Sequence, residues 1–222
     1  MRVKNRTKLS AALCIAVLST VALASPATAD DDSYWEPLRY WLETNGVDDA
    51  TQQRLVSKAA AGEIFDSLVA ENEPISEELS EDGHKLLATF EDGSIIVSEI
   101  RPESPSDTRA ISGCTFNNGS GYASASGCLI VSGNGMLELR FIANYSWGSF
   151  GGTISSAHSP EAVVLYGSAT TPTVDILRAN SSGNQPAVAT AHTYYTHQNG
   201  TYSEDLYLSL RVDSGGGWTT QY

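Results

Sequence analysis

Basic residues are scarce in this 222-residue chain, where 13 Lys and Arg stand against 26 Asp and Glu. Four of the thirteen, Arg2, Lys4, Arg6 and Lys8, fall within the first eight residues. Beyond them no Lys/Arg cluster remains, so nucleic-acid phosphates and anionic membrane surfaces drop out as partners. Uninterrupted apolar runs are short as well. None reaches the roughly 20 residues that span a bilayer, so an ordinary membrane anchor is not expected. Cysteine is limited to Cys14, Cys114 and Cys128, with no C-x-x-C among them. The G-x-S-x-G turn that exposes a hydrolase nucleophile is also missing, and no internal repeat is present.

The basic start has a meaning of its own. It leads into an uncharged, mostly apolar stretch over residues 11–24, broken by Ser25 and Pro26. Ala27-Thr28-Ala29 then offers the small residues that a signal peptidase reads. Residues 1–29 are therefore expected to be a cleavable export signal. Cys14 lies inside the apolar stretch rather than after it, so a lipid-anchored N-terminus is not expected. The working protein is therefore expected to begin at Asp30 and to be secreted, either extracellular or loosely associated with the cell wall.

Charge divides the remainder unevenly. Residues 30–109 carry 20 acidic and 6 basic side chains, and residues 110–222 carry 6 and 3. The simplest role for this acidity is solubility outside the cell. Cleavage leaves only Cys114 and Cys128. In an oxidising compartment such a pair predicts a disulfide, and closing a loop of this size is worth about 3 kcal/mol.

Periodicity sets the domain plan. Tyr34, Trp35, Leu38, Trp41 and Leu42 recur at helical spacing and predict a helix over residues 34–44, stopped by Asn45-Gly46. Asp49 and Gln52 resemble a capping box for a second helix ending near Ala61, with Gly62 at its left-handed end. Residues 63–70 suit a short third helix. Residues 71–83 are acidic and read as a loop. Asp92-Gly93 between β-prone runs predicts a hairpin. Residues 101–109, with Pro102 and Pro105, predict a linker.

From residue 110 onward the pattern is β. Candidate strands cover residues 122–131, 136–145, 153–157, 162–166, 174–177, 188–195 and 206–212. The expected fold is mainly β: an antiparallel β-sandwich, immunoglobulin-like or jelly-roll-like, preceded by a short helical segment and a β-hairpin. The expected divisions are 1–29 signal, 30–72 acidic helical segment, 73–109 loop, hairpin and linker, and 110–222 β-sandwich.

Few residues suggest chemistry. His192 and His197 are the closest histidine pair, with Glu204 and Asp205 nearby, and form a candidate metal site if the chain turns between them. Five apart on a strand, they face opposite sides. A Ser/His/Asp triad can be assembled from His158, His192, Asp175 and many serines, but only geometry identifies a triad. Trp147, Tyr194 and Trp218 are aromatics in or beside the β region. They are candidate ligand-binding residues, set against the commoner fate of large aromatics as core filler. No catalytic residue is assigned and no cofactor is expected.

Two stretches carry a resemblance. One comprises Asn45-Gly46-Val47, Thr51-Gln52, Gly62, Asp66-Ser67 and Asp92-Gly93-Ser94. The other comprises Ile111-Ser112-Gly113-Cys114, Gly119-Ser120-Gly121-Tyr122 and Cys128. Together they resemble uncharacterised secreted proteins of Gram-positive actinobacteria. The resemblance implies no activity and transfers no functional residue. The expected function is a non-enzymatic binding or interaction module with an extracellular or cell-surface ligand. A secreted hydrolase with a site scattered in sequence and a toxin-like antagonistic factor stay open as alternatives.

Overall fold

The structure, a computed structural model, describes residues 32–81, 83–102 and 114–221. The expected export signal and most of the expected linker lie outside the described residues.

Two helices come first. Helix α1, Glu36–Thr44, follows a 3-10 turn at Asp32–Trp35. Pro37 sits in its first turn, where the missing N–H is no loss. Leu38 and Leu42, four apart on one face, are fully buried. Gly46 adopts φ +83° and turns the chain away. Helix α2 is Asp49–Ala60. Its cap lies one residue earlier than the sequence suggests. Asp48 is still extended, and its carboxylate accepts from the Ala50 and Thr51 amides at 3.1 Å each. Gln52 instead donates to the Val47 carbonyl at 2.7 Å. The expected third helix is only a 3-10 turn, Asp66–Leu68.

The described strands are β1 Ser76–Leu79, β2 Lys85–Thr89, β3 Ile95–Pro102, β4 Thr115–Gly119, β5 Tyr122–Gly133 and β6 Leu137–Gly148. They continue with β7 Gly151–Val164, β8 Ser168–Ala169, β9 Thr173–Arg178, β10 Ala187–Thr196, β11 Ser203–Asp213 and β12 Gly216–Gln221. The first sheet runs β1-β2-β3-β5-β6-β7, with β4 also on β5. The second runs β12-β11-β10-β8, with β9 also on β10. The pairings are antiparallel. The mainly β, antiparallel sandwich expected from the sequence is the observed fold. The hairpin is part of it, because β3 pairs with β5 from Val97↔Gly133 to Pro102↔Cys128.

Register explains the core. Ile100, Ile130, Phe141, Leu139 and Tyr145 face inward from the first sheet, and Leu206, Leu208, Leu210 and Tyr195 from the second. Each such side chain, fully buried, is worth roughly 1.5–3 kcal/mol. One extra residue at Gly127, φ +66°, separates the Ala125↔Tyr145 and Cys128↔Ala143 pairs. That bulge shifts the two-residue period, so Ala125 and Cys128 both point inward. Cys128 is thereby buried and bonded to Cys114. A second bulge falls beside Ser159, φ +54°, and Pro160, which has no N–H to give the ladder. The segments expected as separate strands at 153–157 and 162–166 are therefore mostly one bent strand, β7.

The helical segment closes one end of the sandwich. Tyr166 Oη donates to Tyr34 O at 2.8 Å, Gln198 Nε2 to Ala59 O at 3.1 Å, and Asn199 Nδ2 to Gly62 O at 2.6 Å. Lys58 Nζ reaches Asp92 at 2.7 Å and Asp66 at 3.0 Å, tying α2 to the β2–β3 turn.

Candidate functional site

The two sheets do not match in width. Strand β12 ends the second sheet and lies over β3 and β6. The first sheet continues past it through β2 to β1. The inner face of β1 and β2 is therefore only partly covered beside β12: Leu79 is exposed and Leu86 half-buried, while Ala88 is buried. Register places Glu77 with Ala88, Leu79 with Leu86, and Leu86 with Ser98, all on that inner face. Leu79 is 64% exposed, which is unusual for a leucine on the inward side of a sandwich.

The overhang forms a groove with two hollows that share Glu77, Leu86 and Thr219. The hollow nearer the helical segment has a volume of about 260 Å³. Leu68, Leu86, Ala88, Phe90, Ile96 and Leu206 make it mostly apolar. Glu204 stands at its wall, with Tyr202 donating to it at 2.8 Å while also meeting Leu68 O at 2.7 Å. Burial, and then the adjacent Glu204 carboxylate, push the Tyr202 hydroxyl above its usual range. It therefore stays protonated and acts as a fixed donor. At the floor, Ser98 Oγ meets Ser132 Oγ at 2.7 Å, and Ser132 in turn contacts Gln221 Oε1 across the sheets.

The second hollow, about 360 Å³, runs toward the other end and is lined by Leu79, His84, Ile100 and Trp218. His84 packs on Phe116 with ring centroids 5.2 Å apart, and Phe116 meets Trp147 edge-on at 6.4 Å. Trp147 stacks on Tyr145 at 5.6 Å. Burial pushes the Tyr145 hydroxyl far up, so it too stays neutral.

Of the aromatics singled out from sequence, Trp218 borders one end of the groove from the β12 edge, although its pairing with Arg211 puts it on the outer face of the second sheet, and Trp147 lines neither hollow. Tyr194 also lines neither. It lies on β10, pairs with Asp205, and is 43% exposed on the outer face of the second sheet. Beside it His192 Nε2 meets Asp205 Oδ1 at 2.6 Å and stacks on Tyr207 at 4.6 Å. His197 is 1% exposed, past the end of β10, with Nδ1 on Asn199 Oδ1 at 3.0 Å. The two histidines do not converge, and no group of three metal-ligating side chains occurs among the described residues. The His192–Asp205 pair stands on an open sheet face rather than in a cleft.

Sequence reasoning did not single out Glu77, Leu79, His84 or Phe116. Residues 71–83 look like an acidic loop, and β1 and β4 are too short to show a clear alternation. The only signal in β1 is the Ile75, Glu77, Leu79 spacing of two.

The chain matches no protein-family model and no curated protein. Among solved structures it is similar to the hypothetical protein lmo2686 from Listeria monocytogenes EGD-e. That likeness has a TM-score of 0.31 and 17% identity, and covers 62% of this chain and 92% of the other. A likeness of that size carries no argument about function.

Proposed function

We propose that this is a secreted, non-enzymatic binding protein whose ligand lies in the groove between the overhanging β1–β2 face and the β12 edge. The supporting observation is the overhang itself. A sandwich that leaves inward leucines partly uncovered has an apolar surface that another molecule can bury. Export is supported by the basic, apolar and A-x-A sequence at the N-terminus, and the Cys114–Cys128 bridge is consistent with it. His192 meets Asp205 on an open sheet face rather than in a cleft, which does not favour a hydrolase built on that pair.

Titration with the neutral apolar dye Nile red tests this reading. One saturable site is expected on the folded protein. Ala88→Trp, which fills the hollow, is expected to abolish it while circular dichroism stays unchanged. Tyr194→Ala, on the far face, is expected to leave it intact. Dye binding that ignores Ala88→Trp, or no saturable binding at all, would overturn the groove as the site.

A further inference from the structure

Resting on the groove reading above, we propose that its occupant is an extended polypeptide segment of a partner protein. The segment adds as a new strand along β12 and carries apolar residues, with a basic residue among them, at the alternate positions that face the groove.

The main chain supplies the first reason. Strand β12 is the last strand of the second sheet, and among the described residues nothing pairs with its outer edge. An edge strand presents unpaired N–H and C=O groups along its length. Such groups give affinity to any segment that can supply the complementary ladder.

Geometry supplies the second. Neighbouring strands lie roughly 4.8 Å apart and packed sheets about 10 Å apart. A strand added beside β12 would therefore lie over the partly covered face of β2 and β1. Its alternate side chains would point down onto Leu86, Ala88 and Leu79. The groove is the place where the second sheet falls short of the first. The stretch Trp218–Gln221 that walls it is about 13 Å long at roughly 3.3 Å per residue. That suits a segment of four to six residues.

Charge supplies the third. Glu77 and Glu204 line the groove, and no Lys or Arg lines either hollow. Glu77 has no ion pair among the described residues, although it points to an apolar face. Glu78 and Glu81 follow on the same strand and turn. An inward carboxylate on a partly covered sheet face repels acidic strands, including a second copy of this acidic chain. It attracts a basic side chain at the same position of an incoming strand.

The test uses the 15N-labelled protein and the peptide acetyl-Val-Ser-Lys-Ser-Val-Ser-amide, whose Val and Lys side chains share one face. Expected are saturable amide shifts at Trp218–Gln221 and at Glu77–Leu79. Replacing the Lys of the peptide by Glu should abolish them. N-methylating either the Val and Lys amides or the Ser amides should, for one of the two sets, weaken binding at least tenfold, because one set faces β12. Glu77→Gln should weaken binding up to about fivefold, the size of a partly exposed ion pair. Equal binding of the Glu peptide, or indifference to both N-methylated forms, would overturn the proposal. So would concentration-dependent dimerisation through β12. Nile red binding with no peptide binding would refute this occupant and leave the groove reading standing. Loss of both would refute the two together.

Discussion

Replacing Lys58 with Met removes a clasp that fastens the helical segment to the sandwich. Lys58 Nζ lies 2.7 Å from Asp92 Oδ2 and 3.0 Å from Asp66 Oδ1, with side-chain exposures of 23%, 13% and 29%. Asp92 also accepts from the Asp66 amide at 3.0 Å and the Ser94 amide at 2.8 Å, and its own N–H donates to Asp66 at 3.2 Å. Methionine keeps most of the aliphatic stem but leaves two carboxylates facing each other without a cation. Breaking a fully buried pair costs about 3–5 kcal/mol, and an exposed pair is worth at most about 1. The partial burial here places K58M between them, at about 2 kcal/mol. For a domain of this size that lowers Tm by about 4–8 °C. Urea unfolding of K58M, D92N and the double variant should show coupling between the two sites. The pH dependence has a definite sign. Burial acts to raise Asp92, but the Lys58 ammonium and the hydrogen bonds from Ser94 and Asp66 hold it below 3.8. Its contribution is complete above that value and is lost as pH falls through the depressed folded value. Burial acts to lower Lys58, but Asp92 and Asp66 hold it above 10.5. Its contribution is complete below that value and is lost as pH rises through the raised folded value. K58M unfolding within 0.5 kcal/mol of the parent at pH 7, or no coupling between the two sites at that pH, would refute the clasp.

The disulfide and one close backbone approach give two further tests. The Cys114–Cys128 bridge spans a separation of 14 residues, so reduction should cost about 3 kcal/mol. Thiol titration of the denatured, unreduced protein should find neither cysteine, and two reactive thiols would refute the bridge. At Gly152 an added Cβ would collide with the Val212 carbonyl of β11 in the facing sheet. Gly152→Ala should therefore destabilise by about 1–3 kcal/mol, as overpacking does. Gly215→Ala, where a Cβ would meet only the tip of Asp213, should stay within about 0.5 kcal/mol; equal effects of the two in denaturant melts would refute the close approach.

Local pattern was enough for much of the fold. Two-residue alternation marked β6 and β11, Asp92-Gly93 marked the β2–β3 turn, and helical spacing placed Leu38 and Leu42 on one face. These signals are local because strand and helix periods are properties of neighbouring residues. Strands β1, β4, β8 and β12 were not legible. They are short, polar or glycine-containing, and their strand state depends on the neighbour they pair with. Alternation likewise says which residues share a face, but not whether another sheet covers that face. Trp147, Tyr194 and Trp218 were alike in sequence as aromatics of the β region. Register sent both Tyr194 and Trp218 to the outer face of the second sheet, and only the position of β12 at the end of that sheet brought Trp218 to the border of the groove.

The N-terminal charge and apolar pattern, the pairing of Cys114 with Cys128 and the β character of residues 114–221 needed no tertiary information. Each follows from composition or from side chains a few residues apart. The groove did need it. It exists because β3 joins β5 some thirty residues later, which carries β1 and β2 beyond the reach of β12. A width mismatch between two sheets is a property of long-range pairing, and no short stretch of sequence encodes it.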